Sequence, residues 1–252
     1  GKKMISNLTV LKKMLIIGIL ALFAFVAIGT IFLFNEKNIL ISEKKSKLVN
    51  IVELPYSLVE SEYKAFTDGK IDEKTAKENA VNAIKKLRYD KTNYIWINDD
   101  TLPHPKMIMH PIATSLDGKV LNAEKFNCAT DLEYANNEIV KTDGKKNLFQ
   151  SFVEVVNKGN TGFVGYLWPK PKADGTNTEE LYEKLSYVKK FDKWGWVIGS
   201  GIYIDDVNAE FNQSLLNIIL TVFFVLIVLG LVSYFIVKDI VTKVDLLDSG
   251  LV

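Results

Sequence analysis

The sequence predicts an α+β fold, an antiparallel sheet with a long N-terminal helix, carried between two transmembrane helices. Three observations predict it. Two uncharged apolar runs lie near the two ends of a 252-residue chain. A helical periodicity follows the first run without a break. From Tyr94 onward the pattern changes to short aromatic, β-prone runs. The division is residues 1–13 as a cytoplasmic N-terminus, 14–34 as the first span, 35–213 as an extracytoplasmic domain, 214–237 as the second span, and 238–252 as the start of a cytoplasmic region.

The run from Met14 to Phe34 carries no charge. About 21 residues at about 1.5 Å each match a hydrocarbon core of about 30 Å. It is too long for a signal-peptide core of about 7–15 residues, and no small-x-small cleavage site follows. Leu215 to Val237 is likewise uncharged, and neither run has the polar face of an amphipathic core helix. Lys2, Lys3, Lys12 and Lys13 precede the first span, and Lys238 and Lys243 follow the second. The positive-inside rule keeps both flanks in the cytoplasm and puts the intervening domain outside.

The helical pattern of Asn35 to Phe66 places Leu48, Ile51, Val52, Pro55, Leu58, Val59, Glu62, Tyr63 and Phe66 at three- and four-residue spacing, with Glu62 as the one polar interruption. Pro55 is expected to kink it. It carries more apolar residues than one domain buries, which predicts a parallel homodimer along this stalk. Asp72 is placed to cap a second helix with Ala76, Ala80, Ala83, Ile84 and Leu87 inward, ending near Arg88. Tyr94–Asn98 and Lys106–His110 read as strands. The stretch after Pro111 reads as weakly patterned, with a turn at Asp143-Gly144. Leu148 to Lys158 reads as a short helix with Leu148, Phe149, Phe152, Val155 and Val156 inward, stopped by Gly159. Gly162–Trp168, Leu185–Phe191 and Trp196–Ile204 read as further strands, with a Pro-, Gly- and Thr-rich loop from Lys170 to Glu180. Gly199 and Gly201 leave space on one face of the last strand for a neighbouring backbone or a ligand. Strands from both ends of the domain with helices between them point to a PAS-like antiparallel sheet.

Composition removes several function classes. A net charge of +1 gives no case for nucleic acid. The single cysteine, Cys128, forms no intramolecular disulfide or cysteine metal cluster, and two histidines, His104 and His110, make a poor metal site. No nucleophile elbow, Walker loop or zincin motif is present, so neither an enzyme nor a cofactor is expected. What remains is a set of aromatic and cationic side chains on strands. Alternation places Tyr94, Trp96 and Asn98 on one face, Ile108 with His110, and Tyr166 with Trp168, with Lys170 just beyond. Such residues serve equally as core, or as the directed donors of a small-anion pocket.

The ordered pieces N-Y-I-W-I-N, M-I-M-H-P, G-F-V-G-Y-L-W-P-K-P, K-L-S-Y-V-K-K-F and W-G-W-V-I-G-S-G-I-Y-I-D-D-V resemble a single Cache domain of the sCache_2 type, from about Asn35 to Val207. The resemblance implies the sensor of a methyl-accepting chemotaxis protein in a bacterial inner membrane, with the domain in the periplasm and a chemotaxis kinase and adaptor as cytoplasmic partners. It implies a short carboxylate ligand such as acetate, propionate, pyruvate or lactate. The ligand-contact candidates are Tyr94, Trp96, His110, Tyr166, Trp168, Lys170, Lys184, Lys189 and Arg88. Trp194, Trp196, Asp205 and Asp206 read as structural. Ile240 to Val252 is similar to the stretch after the second span of transducer-like chemoreceptors, without the early proline of a typical HAMP opening. The chain reads as a fragment lacking an output module. Two alternatives stand beside this reading: the same sensor on a histidine kinase or cyclase, and a membrane-tethered structural module without a ligand.

Overall fold

The computed structural model describes residues 10–90, 93–172 and 176–248. They form two compact units, the described residues up to 40 with those from 208 onward, and the described residues between 41 and 207. In the first unit the two apolar runs are helical and turn their side chains outward: Ile17, Phe23, Phe224 and Phe235 are each more than 60% exposed. Both helices are long and apolar enough to cross a membrane.

Helix α1 runs Val10–Thr67, so the stalk continues the first apolar run without a loop. Pro55 lies inside it. Its inner stripe, Leu48, Val52, Pro55 and Val59, is buried, while Leu54, on the adjoining face, is 70% exposed. Helix α2, Glu73–Lys85, starts where expected: the Asp72 carboxylate accepts from the Thr75 amide. Ala76, Ala80 and Ile84 are buried, but Ala83 is exposed.

Eight strands form one antiparallel sheet. They are β1 (Arg88–Tyr89), β2 (Asn93–Asp99), β3 (Met107–Met109), β4 (Asn127–Tyr134), β5 (Ile139–Asn147), β6 (Thr161–Pro171), β7 (Asn177–Phe191) and β8 (Trp196–Tyr203). Their order is β1-β2-β8-β7-β6-β4-β5, with β3 added on β2. Helix α3, Leu148–Gly159, lies between β5 and β6 in sequence, and α4, Ile204–Asp248, follows β8 directly.

The sheet has two buried faces. On one, α3 packs Phe149, Phe152 and Val156 against Tyr94, Trp96, Val164, Tyr166, Val188 and Val197. On the other, α1 and α2 pack Leu48, Val52, Val59, Ala80 and Ile84 against Ile95, Ile97, Tyr187, Ile198 and Ile202. The two-residue period of each strand deals alternate side chains to these two layers.

Several expectations require correction. The stretch after Pro111 is not weakly structured, because β4 and β5 form a hairpin there. Asp143-Gly144 makes no chain reversal. Gly144, at φ +75°, sits inside β5, where pairing shifts from Asp131↔Lys141 to Ala129↔Lys146 and extra residues bulge out. Helix α3 includes Gly159, and the left-handed residue that ends it is Asn160 at φ +67°. The expected loop from Lys170 to Glu180 is mostly ladder, since Pro169 pairs Leu181 and Pro171 pairs Asn177; residues 173–175 lie outside the described residues. Beyond Tyr166 the other edge of β6 has no β4 partner, so prolines 169 and 171 cost no ladder bond on that side.

Candidate functional site

The site lies between α3 and the sheet. A tight cavity of about 10 Å³ is lined by Tyr94, Trp96, His110, Tyr166 and Trp168 from the sheet side and by Leu148, Phe149 and Phe152 from α3. That is about the room one water needs. Five of the nine expected contact residues therefore converge here. Their rings pack on one another: Trp96 on Phe152 at 5.1 Å, Phe152 on Tyr166 at 5.9 Å, and Tyr166 on Trp168 at 5.8 Å between centroids.

Two glycines make the packing possible. A Cβ on Gly199 would sit 2.3 Å from the Trp96 ring. A Cβ on Gly201 would sit 2.1 Å from Ser186 Oγ and 3.0 Å from Lys184 Cε. The space that these glycines leave on β8 is filled by the Trp96 indole and by the side chains of Ser186 and Lys184.

The polar groups divide into spent and available donors. Trp96 Nε1–H donates to Asn98 Oδ1 at 3.0 Å, so Trp96 offers the cavity its ring and not its N–H. Tyr166 OH and Ser186 Oγ share a hydrogen bond of 2.8 Å. His110 Nδ1 accepts from the Ala113 amide at 2.8 Å, which assigns the neutral ring's proton to Nε2. Burial, with Lys184 and Arg88 nearby, lowers the His110 pKa to about 3, so this ring stays a neutral donor. Its centroid is 4.8 Å from that of Tyr94.

Lys184 is the cation of the site. It is 3% exposed and reaches Tyr94 OH at 3.4 Å. Its ammonium also lies over the rings of Tyr94, at 4.6 Å, and Tyr203, at 4.8 Å. Among the described residues no carboxylate comes within ion-pair distance of it, and burial alone lowers its pKa to about 7.

The other three expected contacts go elsewhere. Lys189 is on the opposite face of β7, where its ammonium bonds both oxygens of Glu53 in α1 at 2.7 and 2.8 Å and lies over Tyr56. Lys170 pairs with Asp205 in the first turn of α4. Exposed Arg88 donates to the carbonyls of Lys85 and Leu87. Asp205 is thus held in an ion pair; the side chain of Asp206 lies outside the described set. Sequence reasoning missed the roles of Ser186 and Tyr203, and it read Phe149 and Phe152 as core only. A larger open groove of about 470 Å³ borders Lys45, Asp131, Glu133, Lys141, Glu183 and Lys184, and four of these charges are paired, Lys45 with Glu133 and Lys141 with Asp131.

Comparison with known proteins agrees with this architecture. The family model dCache_2, a Cache domain, matches residues 26–224. The methyl-accepting chemotaxis protein McpP of Pseudomonas putida is 31% identical over 211 residues, 84% of this chain and 34% of that protein. The sensor histidine kinase MctS of Rhizobium johnstonii is 27% identical over 69% of this chain and 32% of that protein. The chain thus spans about a third of the length of these relatives. A solved structure described as "Structural basis for carboxylic acid recognition by a Cache chemosensory domain" superposes with a TM-score of 0.53, at 29% identity, over 66% of this chain and 97% of that one.

Proposed function

The chain belongs to the Cache domain family, and from that premise we propose that its α3-side pocket binds a short monocarboxylate outside the cell and signals its presence across the membrane. The observation that carries this reading is Lys184, a buried ammonium with aromatic faces and a phenol around it and, among the described residues, no carboxylate in reach. An unpaired charge in such a site is costly. A ligand carboxylate supplies the missing partner, with Tyr94 OH and His110 Nε2–H as further donors. The apolar end of the acid meets Phe149, Phe152 and Trp96. A cavity with room for about one water holds an acid of the size of acetate, propionate, pyruvate or lactate only after half-buried Trp168 moves outward, and the tight aromatic lining disfavours larger acids. The solved carboxylic-acid-recognising Cache domain supports the same ligand class.

Signalling follows from where β6 and β8 lead. Two residues past Trp168, Lys170 pairs with Asp205 of α4, and Tyr203 OH donates to Pro169 O at 2.8 Å. Movement at Trp168 therefore pulls on the start of the helix that continues into the second span. The second partner is another copy of this chain, docked along the stalk face that holds Leu54 and the half-buried Ile51. The likeness to McpP supports a chemotaxis kinase as the downstream partner in a bacterial inner membrane, with this domain in the periplasm. The likeness to MctS favours a second reading, the same sensor driving a histidine kinase.

Titration calorimetry of the chain in nanodiscs with acetate, propionate, pyruvate and lactate tests the binding. At least one is expected to bind in about the micromolar range, and no binding by any of the four contradicts the reading. Swimming bias towards that acid in cells carrying the receptor supports the chemotaxis branch, and acid-dependent phosphotransfer supports the kinase branch.

A further inference from the structure

Lys184 differs from the other lysines of the domain in what surrounds it. Tyr94 on β2, Tyr166 on β6 and Tyr203 on β8 meet it or its neighbours from three strands, and His110 follows β3. Lys170 and Asp205 pair with each other beyond Tyr203. Arg88 is the remaining charge felt at His110, and Cys128 the remaining ionisable group felt at Tyr166. No anion among these balances the Lys184 ammonium, and its amine is enclosed. Bringing a carboxylate into this enclosure leaves one of two states: an unpaired anion beside a neutral amine, or an ion pair with one added proton. The first is strongly disfavoured in a dry site.

We infer that carboxylate binding is coupled to proton uptake by Lys184, so that this sensor reads an organic acid together with the external pH. The inference rests on the carboxylate reading above. The step forms one N–H bond on Lys184 and breaks one O–H bond, either of water, which leaves hydroxide to the buffer, or of the acid form of the ligand, which leaves the bound carboxylate; no oxidation state changes. The net result above neutral pH is one carboxylate and one proton taken from solution.

The site's other groups leave this role to Lys184. Burial lowers its pKa to about 7, whereas His110 is held down at about 3 and Cys128 is pushed up to about 11. The hydroxyls of Tyr94 and Tyr166 are raised above the ordinary phenol value by burial. Among the described residues Lys184, whose ammonium lies over the cavity-lining Tyr94, is thus the group beside the pocket with a pKa near neutrality. Sign follows directly. Below its own pKa the lysine is already charged and affinity is flat. Above that point each added pH unit lowers apparent affinity about tenfold, because the bound state holds one more proton than the free one.

The test uses the 252-residue chain in nanodiscs. Acetate, propionate, pyruvate and lactate are each titrated calorimetrically at about pH 6 and about pH 8.5, at each pH in two buffers that hold that pH and differ in ionisation heat, which counts the protons exchanged. The expected result is uptake of about one proton per bound acid at the higher pH, almost none at the lower, and at least about tenfold weaker binding at the higher pH. Lys184→Arg, whose guanidinium stays charged, is expected to bind without proton uptake where it folds. Buffer-independent heats and a pH-flat affinity for wild type overturn the coupling and leave the carboxylate site standing. Undiminished proton uptake in Lys184→Arg overturns the assignment to this residue. Failure of all four acids to bind at either pH takes down both the coupling and the reading beneath it.

Discussion

Lys184 and Lys189 lie five residues apart on one strand, and the protein treats them oppositely. Lys189 faces α1, holds both Glu53 oxygens, and joins sheet to stalk. Lys184 faces α3 and is more deeply buried, with no carboxylate of the protein's own among the described residues. On the stalk face Lys189 has its anion, and aliphatic and aromatic side chains fill the layer. The pocket face spends its polar groups differently. Trp96 and Tyr166 are tied to Asn98 and Ser186, while Lys184, Tyr94 and His110 keep donors for something else. A cation balanced from within is structural; one left unbalanced is where the proposed ligand would bind.

The largest effect expected from breaking this contrast is on stability at the pocket face. Phe152 is fully buried and packs against both Trp96 and Tyr166. Phe152→Ala is expected to cost about 3–5 kcal/mol in denaturant unfolding. It also opens the pocket, so longer acids should gain affinity relative to acetate; an unchanged preference would mean that Phe152 does not limit ligand size. Next comes Gly199→Ala, where the new methyl overlaps the Trp96 ring. A loss of about 1–3 kcal/mol is expected, and a neutral result would show that Trp96 has room to move.

A third effect separates the two lysines by pH. Lys184 has a folded pKa of about 7, below its unfolded value, so the unfolded state binds more protons from about pH 7 upward. Stability without ligand should therefore rise with pH through that window, by roughly 1 kcal/mol per unit, and more steeply than in Lys184→Met. Carboxylate affinity moves the opposite way over the same window. Equal slopes in the two proteins would place the titration elsewhere. The smallest effect belongs to Lys189→Met. Its partner Glu53 is partly exposed, so the loss should be about 0.2–1 kcal/mol, read as a small drop in melting temperature.

The sequence made one half of this architecture easier to read than the other. Helices α1, α2 and α3 announce themselves by three- and four-residue spacing, and β2, β6, β7 and β8 by aromatic and β-branched runs between glycines. The β4–β5 hairpin does not. As the edge of the sheet, β5 is mostly exposed and carries Lys141, Lys145 and Lys146, the charges an edge strand uses to avoid further pairing. Asp143-Gly144 adds a turn signal that the fold spends on a bulge. Pro169 and Pro171 masked the far end of β6 for a related reason, since both sit where one of its edges is open.

Within the candidate site, the convergence of Tyr94, Trp96, His110, Tyr166 and Trp168 on one cavity was legible from strand alternation and the ordered pieces around them. Lys184 and Lys189 looked alike in the sequence because both flank Ser186-Tyr187-Val188. Strand parity separates them: an odd spacing of five puts them on opposite faces. Lys170 could not be assigned in the same way, because its partner Asp205 belongs to a helix start distant in sequence. The donor spent by Trp96 on Asn98 was equally out of reach, because a two-residue spacing gives a shared face but not a bond.

The most direct test of the account is a paired binding measurement. The carboxylate that binds wild type most tightly is titrated into Lys184→Met and Lys189→Met at about pH 6, where the pocket lysine of wild type is largely charged. The account predicts a loss of about 1.5–3 kcal/mol, roughly ten- to a hundredfold in affinity, for Lys184→Met, and wild-type affinity for Lys189→Met. Wild-type affinity in Lys184→Met, with the protein folded, would contradict it.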